Sequence, residues 1–93
     1  LGVPFNIASY AALVCLVAKL TGKTPRKFIH FMGNTHIYEN HINQVNTQLS
    51  REPYPAPTLL IDDDVKDIDE VIPEHFKLSA YKHHPFIPAP MAV

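Results

Sequence analysis

The stretch that decides the fold is Leu1-Gly2-Val3-Pro4-Phe5-Asn6-Ile7-Ala8-Ser9-Tyr10, which runs straight into the apolar segment Ala11 to Leu20. An Asn at a helix mouth, Ala-rich filling, Lys19 in the last turn and Gly22 just beyond predict a helix over Val3 to Leu20, starting close to Asn6 with that residue as its N-cap. Its apolar residues lie on every face: Ile7, Ala8, Tyr10, Ala11, Leu13, Val14, Leu16, Val17 and Leu20. A helix apolar all round is a buried helix, covered by other elements on all sides. Cys15 in its middle reads as a small buried hydrophobe rather than a nucleophile.

Around that helix the chain alternates turns and short elements. Thr21-Gly22-Lys23-Thr24-Pro25 is a turn. Lys27 to Tyr38 reads as extended chain broken near Gly33, and alternation along it puts His36, Tyr38 and Asn40 on one side with Ile37 on the other. Ile42 to Leu49 carries helical spacing and reads as a short surface helix. Pro53 to Pro57 is a rigid connector, Thr58 to Ile61 a short strand, and Phe76 to Tyr81 another. The acidic run Asp62-Asp63-Asp64, continued by Asp67, Asp69 and Glu70, lacks the spacing and glycine of a calcium loop and reads as a solvated loop. The tail from His84 to Val93 is apolar and stiffened by proline, which favours docking over fraying.

Composition bounds the function. Ninety-three residues make at most one small domain, and 46% hydrophobic with 18% charged residues is globular. A net charge of −1 leaves no electrostatic footprint for nucleic acid or for a membrane surface. The longest apolar run is short for a bilayer, so no membrane is expected. One cysteine gives no internal disulfide and points to a reducing, cytoplasmic setting. The opening in apolar sequence, an all-round apolar helix in so short a chain and the gathering of prolines after Arg51 lead to the expectation of a C-terminal piece of a longer protein.

The six histidines show no metal-ligand spacing, and the three glycines are too scattered for a phosphate loop. Asn6, His36 and Tyr38 remain. A carboxamide presents an acceptor oxygen beside donor hydrogens, which matches the imide edge of uracil, and His and Tyr two apart on a strand reach one sugar hydroxyl together. By pattern alone the plainer readings come first: Asn6 as a helix cap, His36 and Tyr38 as ordinary strand residues.

The wording of the segments carries more. Leu1 to Tyr10 resembles the LGxPFNIASY segment of thymidylate synthase, and Gly33 to His41 the family's G-D-x-H-x-Y-x-N-H segment. Gln48-Leu49-Ser50-Arg51-Glu52-Pro53-Tyr54-Pro55 resembles its QLxREPxP turn, and Met91-Ala92-Val93 its ending. The resemblance runs the whole chain, as the C-terminal third of a single catalytic domain. It implies an α/β (α+β) fold with a buried central helix on a mixed β-sheet that forms the interface of a homodimer. It implies reductive methylation of dUMP to dTMP, with 5,10-methylenetetrahydrofolate giving both carbon and hydride. The family's nucleophilic Cys and phosphate-holding arginines would then lie upstream of Leu1, some of those arginines on the second subunit. Asn6 matches the uracil-reading amide, and His36 and Tyr38 the pair on the deoxyribose 3′-hydroxyl. Leu1, Gly2, Phe5, Ala92 and Val93 match positions of the folate pocket and its closing tail. Asn34 stands where the family usually has Asp, and Pro88 where many members have Lys. The alternatives are a dCMP or dUMP hydroxymethylase, of which the dCMP enzyme is disfavoured by Asn6, and a non-catalytic binding or dimerisation remnant of the same fold. Whether the parent chain also carries a dihydrofolate reductase domain stays open.

Overall fold

A computed structural model describes residues 1–91. The first element, α1, spans Val3–Leu20. Pro4 falls at its start, where a fixed φ is already helical and the missing N–H would have had no partner. Gly2 therefore occupies the N-cap, with no side-chain cap, and Asn6 lies inside the first turns. This corrects the expectation of Asn6 as the cap, and it releases the carboxamide from the backbone. At the other end Gly22 takes φ +63, and the N–H groups of Thr21, Gly22 and Lys23 bond the carbonyls of Val17, Lys19 and Ala18.

From Thr24 to Ile37 the chain is extended, with a bend at Gly33–Asn34, and among the described residues it makes no backbone–backbone hydrogen bond. A short 3-10 helix over Glu39–His41 leads into α2, Ile42–Leu49. Strands β1 (Thr58–Ile61) and β2 (Phe76–Ser79) pair antiparallel, with Thr58 opposite Ser79 and Ile61 opposite Phe76. The sheet of the described residues is thus a two-stranded antiparallel ribbon, in keeping with the α/β (α+β) class. A parallel pair needs a crossover, and the segment between these strands is an irregular loop with two 3-10 turns. In that loop Val65 turns inward, while Asp63 and Asp62 pair with Lys19 and Lys77 at 2.6 and 3.2 Å.

The described part of the tail is held by hydrogen bonds rather than by apolar burial, Phe86 and Met91 staying exposed. It lies along α2, and each bond uses a proline carbonyl. Arg51 Nη1 donates to Pro85 O at 2.7 Å, Gln44 Nε2 to Pro88 O at 3.3 Å, and His41 Nε2 to Pro90 O at 2.6 Å. Acceptors rise in number as donors fall, so the tail runs antiparallel to α2. His84 completes the base of the strap, stacked on Tyr54 at 4.6 Å and donating to Glu52 O at 2.8 Å. Proline has no N–H, which leaves its carbonyl as the only backbone group able to bond.

The interior is slight. Among the described residues Leu16, Ala18 and Val65 are the buried apolar ones, and much of the large apolar surface is exposed, up to 91% at Phe31. The radius of gyration is 16.2 Å, against about 12 Å for a compact chain of this length. The central helix is not buried by this chain itself, since one helix and a ribbon cannot cover it, in keeping with the expectation that elements outside this chain cover it. By length and composition alone α1, mean hydropathy 1.7, could cross a membrane. The apolar run is thus longer than the sequence reading allowed, although a core helix of a larger globular protein passes the same test.

Candidate nucleotide site

Asn6, His36 and Tyr38, thirty residues apart in sequence, line one cavity of about 570 Å³ between the start of α1 and the extended segment. Leu1, Gly2 and Val3 form its wall on the helix side. His30, Met32, Gly33, Asn34, Thr35 and Ile37 come from the extended segment, and His41 and Val45 close the third side. Phe5 is not part of the lining; its ring is 77% exposed. It follows Pro4 on a different face of the helix from Asn6. Ala92 and Val93 lie outside the described residues.

Local geometry explains the convergence. His36 and Tyr38 are two apart on extended backbone and so share a side, their ring centroids 5.4 Å apart and tilted by 52°. Alternation would bring Asn40 to the same side, but the chain enters the 3-10 helix at Glu39. A 3-10 helix repeats every three residues, so His41 takes that place instead. Its ring meets Tyr38 edge-on at 5.4 Å. His41 is the cavity-lining residue that strand alternation missed, and the change of period after Tyr38 is the signal that finds it.

The polar groups differ in how they are engaged. Among the described residues the side chains of Asn6, His36 and Tyr38 make no hydrogen bond, whereas His41 is 7% exposed and bonded to the tail. Three unengaged polar groups facing one cavity supply an amide donor–acceptor pair, an imidazole and a phenol. That set can read the edge of a planar amide-like heterocycle and hold a hydroxyl near it. It has no nucleophile: Cys15 is half-buried in α1 and outside the lining. Among the described residues no cluster of His, Cys, Asp or Glu could hold a metal ion.

Comparison with known proteins gives the same family throughout. The family profile described as thymidylate synthase matches residues 1–93. A thymidylate synthase of Pseudomonas syringae pathovar tomato is 45% identical over 104 aligned positions, covering all of this chain and 32% of the relative. Thymidylate synthases of Bordetella parapertussis and Bordetella bronchiseptica are each 46% identical with the same coverage. The structure of thermostable thymidylate synthase A from Bacillus subtilis superposes with a TM-score of 0.93 at 36% identity, covering the whole chain and 34% of that protein. The chain spans about a third of the length of the curated relatives it matches.

Proposed function

The chain belongs to the thymidylate synthase family, and from that premise we propose that it is the nucleotide-reading, C-terminal part of a catalytic domain that converts dUMP to dTMP. The observation that carries the reading is the meeting of Asn6, His36 and Tyr38 in one cavity with no hydrogen bond among the described residues to satisfy them. The Asn6 carboxamide donates to O4 of the uracil and accepts from its N3–H. Cytosine reverses both polarities, with an amine at C4 and a lone pair at N3, and leaves the amide mismatched. His36 and Tyr38 hold the deoxyribose 3′-hydroxyl from one side.

The folate co-substrate, 5,10-methylenetetrahydrofolate, supplies the one-carbon unit and the hydride. The apolar wall of Leu1 and Gly2 beside the base-reading amide fits a flat heterocycle stacked there, with Phe5 at the outer margin; Ala92 and Val93, outside the described residues, complete the proposed folate set by resemblance alone. The nucleophilic thiolate and the phosphate-binding arginines come from the remainder of the protein, part of them from a second subunit of a homodimer. The exposed apolar surface of α1 and of Phe28 to Met32 supports burial against those parts, and with it the reading of α1 as a core helix rather than a membrane span.

Substituting Asn6→Asp in the full-length enzyme tests the assignment. A protonated or water-bridged carboxyl accepts from the cytosine amine, so kcat/KM for dUMP should fall relative to dCMP by about 1–3 kcal/mol, the usual worth of a bidentate base contact. Unchanged selectivity between the two nucleotides would remove Asn6 as the base reader.

A further inference from the structure

We propose that Thr24 is a phosphorylation site, its hydroxyl accepting the γ-phosphoryl group of ATP from a protein kinase that selects proline after the acceptor and cations beyond it. The inference stands apart from the nucleotide reading of the cavity and adds a site at the opposite end of α1.

The sequence narrows the choice to one hydroxyl. In Lys23-Thr24-Pro25-Arg26-Lys27, Thr24 is the only serine or threonine of the chain that a proline follows. Pro25 biases the residue before it to extended backbone, the shape in which a kinase cleft takes its substrate. Arg26 and Lys27 offer two cations to an acidic kinase surface.

The structure removes the other hydroxyls. Ser9 lies inside α1, Thr58 and Ser79 lie in the strands, and Thr35 lines the cavity. Thr21, Thr47 and Ser50 donate to the carbonyls of Val17, Asn43 and Thr47 at 2.7, 3.0 and 2.7 Å. Thr24 is exposed, with no side-chain hydrogen bond among the described residues. The Lys23 N–H, bonded to Ala18 O at 2.7 Å, is the last backbone tie to α1. Thr24 follows it at the head of the extended segment, where no backbone bond among the described residues must be broken to enter a cleft.

The charges of the turn keep it at the surface when α1 and Phe28 to Met32 are covered. Lys23, Arg26 and Lys27 are exposed and have no ion pair among the described residues. Burying three unpaired cations costs more than so short a turn could regain.

The transfer asks only the hydroxyl of this chain. Thr24 Oγ1 bonds to the γ-phosphorus of ATP as the bond from that phosphorus to the bridging oxygen breaks. ADP leaves with magnesium, and the hydroxyl proton passes to the carboxylate base of the kinase. The product adds about −2 charge at neutral pH. Lys23, Arg26 and Lys27 surround it with donors for charge-assisted hydrogen bonds, which offset the repulsion from the negative end of the α1 dipole.

Incubating the full-length enzyme with a proline-directed protein kinase and magnesium ATP tests the site, with phosphate counted by intact mass and located by fragmentation. The wild-type fragment spanning Thr24 should gain a phosphate. Thr24→Val should lower the phosphate count by one per chain, and Thr24→Ser should restore it, which separates loss of the acceptor from a folding defect. Pro25→Ala should slow the transfer about tenfold, the scale of one lost apolar pocket contact. Enzyme recovered from its own cells under phosphatase inhibition should carry the same phosphopeptide. An unmodified wild-type fragment, a phosphate count unchanged by Thr24→Val, a rate unchanged by Pro25→Ala, or native enzyme without phosphate at Thr24 would overturn the assignment.

Discussion

Ala80, immediately after β2, sits at φ +59, a left-handed conformation that its Cβ opposes. Glycine adopts that conformation freely but loses more entropy on folding, so relief of strain is partly offset. Ala80→Gly should therefore stabilise the folded enzyme by up to about 1 kcal/mol; a denaturant melt in which the midpoint falls would show that the site carries no strain. Asn6 teaches the opposite lesson about a local rule. An Asn two residues after a proline at a helix start reads as a cap, yet Pro4 fixes the start earlier. The side chain that a cap would have consumed is left for the cavity. The resemblance is what brings its role into the proposal, because the family's wording contains tertiary information that the capping rule lacks.

The elements are joined by a few polar ties rather than by a core. The end of α1 is linked to the acidic loop by Lys19 and Asp63. The Lys19 ammonium, by hydrogen bond and then by charge, holds the Asp63 carboxyl below the usual carboxylate range. A lowered carboxyl stabilises the fold in full above its ordinary value and ceases to do so as the pH falls through the lowered one. Because the carboxyl is fully exposed and screened, the effect is small. Asp63→Asn should melt slightly below the parent enzyme at neutral pH, and the gap should close as the pH is taken below the ordinary carboxylate range; a gap that persists in acid would assign the loss to something other than the ion pair. Periodicity made α1, α2, β1 and β2 legible, because each is built from local spacing. It left the partners of Thr24 to Ile37 invisible, since an extended segment takes its hydrogen bonds from whatever strand lies beside it. The docked tail was legible only as apolar and stiff; that it bonds through Pro85, Pro88 and Pro90 depends on donors 34 to 49 residues away.

For the molecule as a whole, exposed apolar side chains and an expanded radius support the proposal that this part is completed by other protein. Prepared alone, these 93 residues should bind a hydrophobic dye and unfold without a sharp transition, because three buried apolar residues cannot offset the ordering of the chain. A cooperative calorimetric melt of the isolated segment, with no dye binding, would contradict this. The proline strap bears on how such a part behaves in a crowd of its own kind. A strand recruits neighbours by offering donors and acceptors in alternation, and that is how exposed edges seed aggregates. Pro85, Pro88 and Pro90 offer acceptors only and interrupt the donors of Phe86, Ile87 and Ala89, so this apolar ribbon is a poor template for a β-ladder on another copy. It can stay greasy enough to dock without becoming adhesive, and the hazard of self-association falls on Thr24 to Ile37 instead.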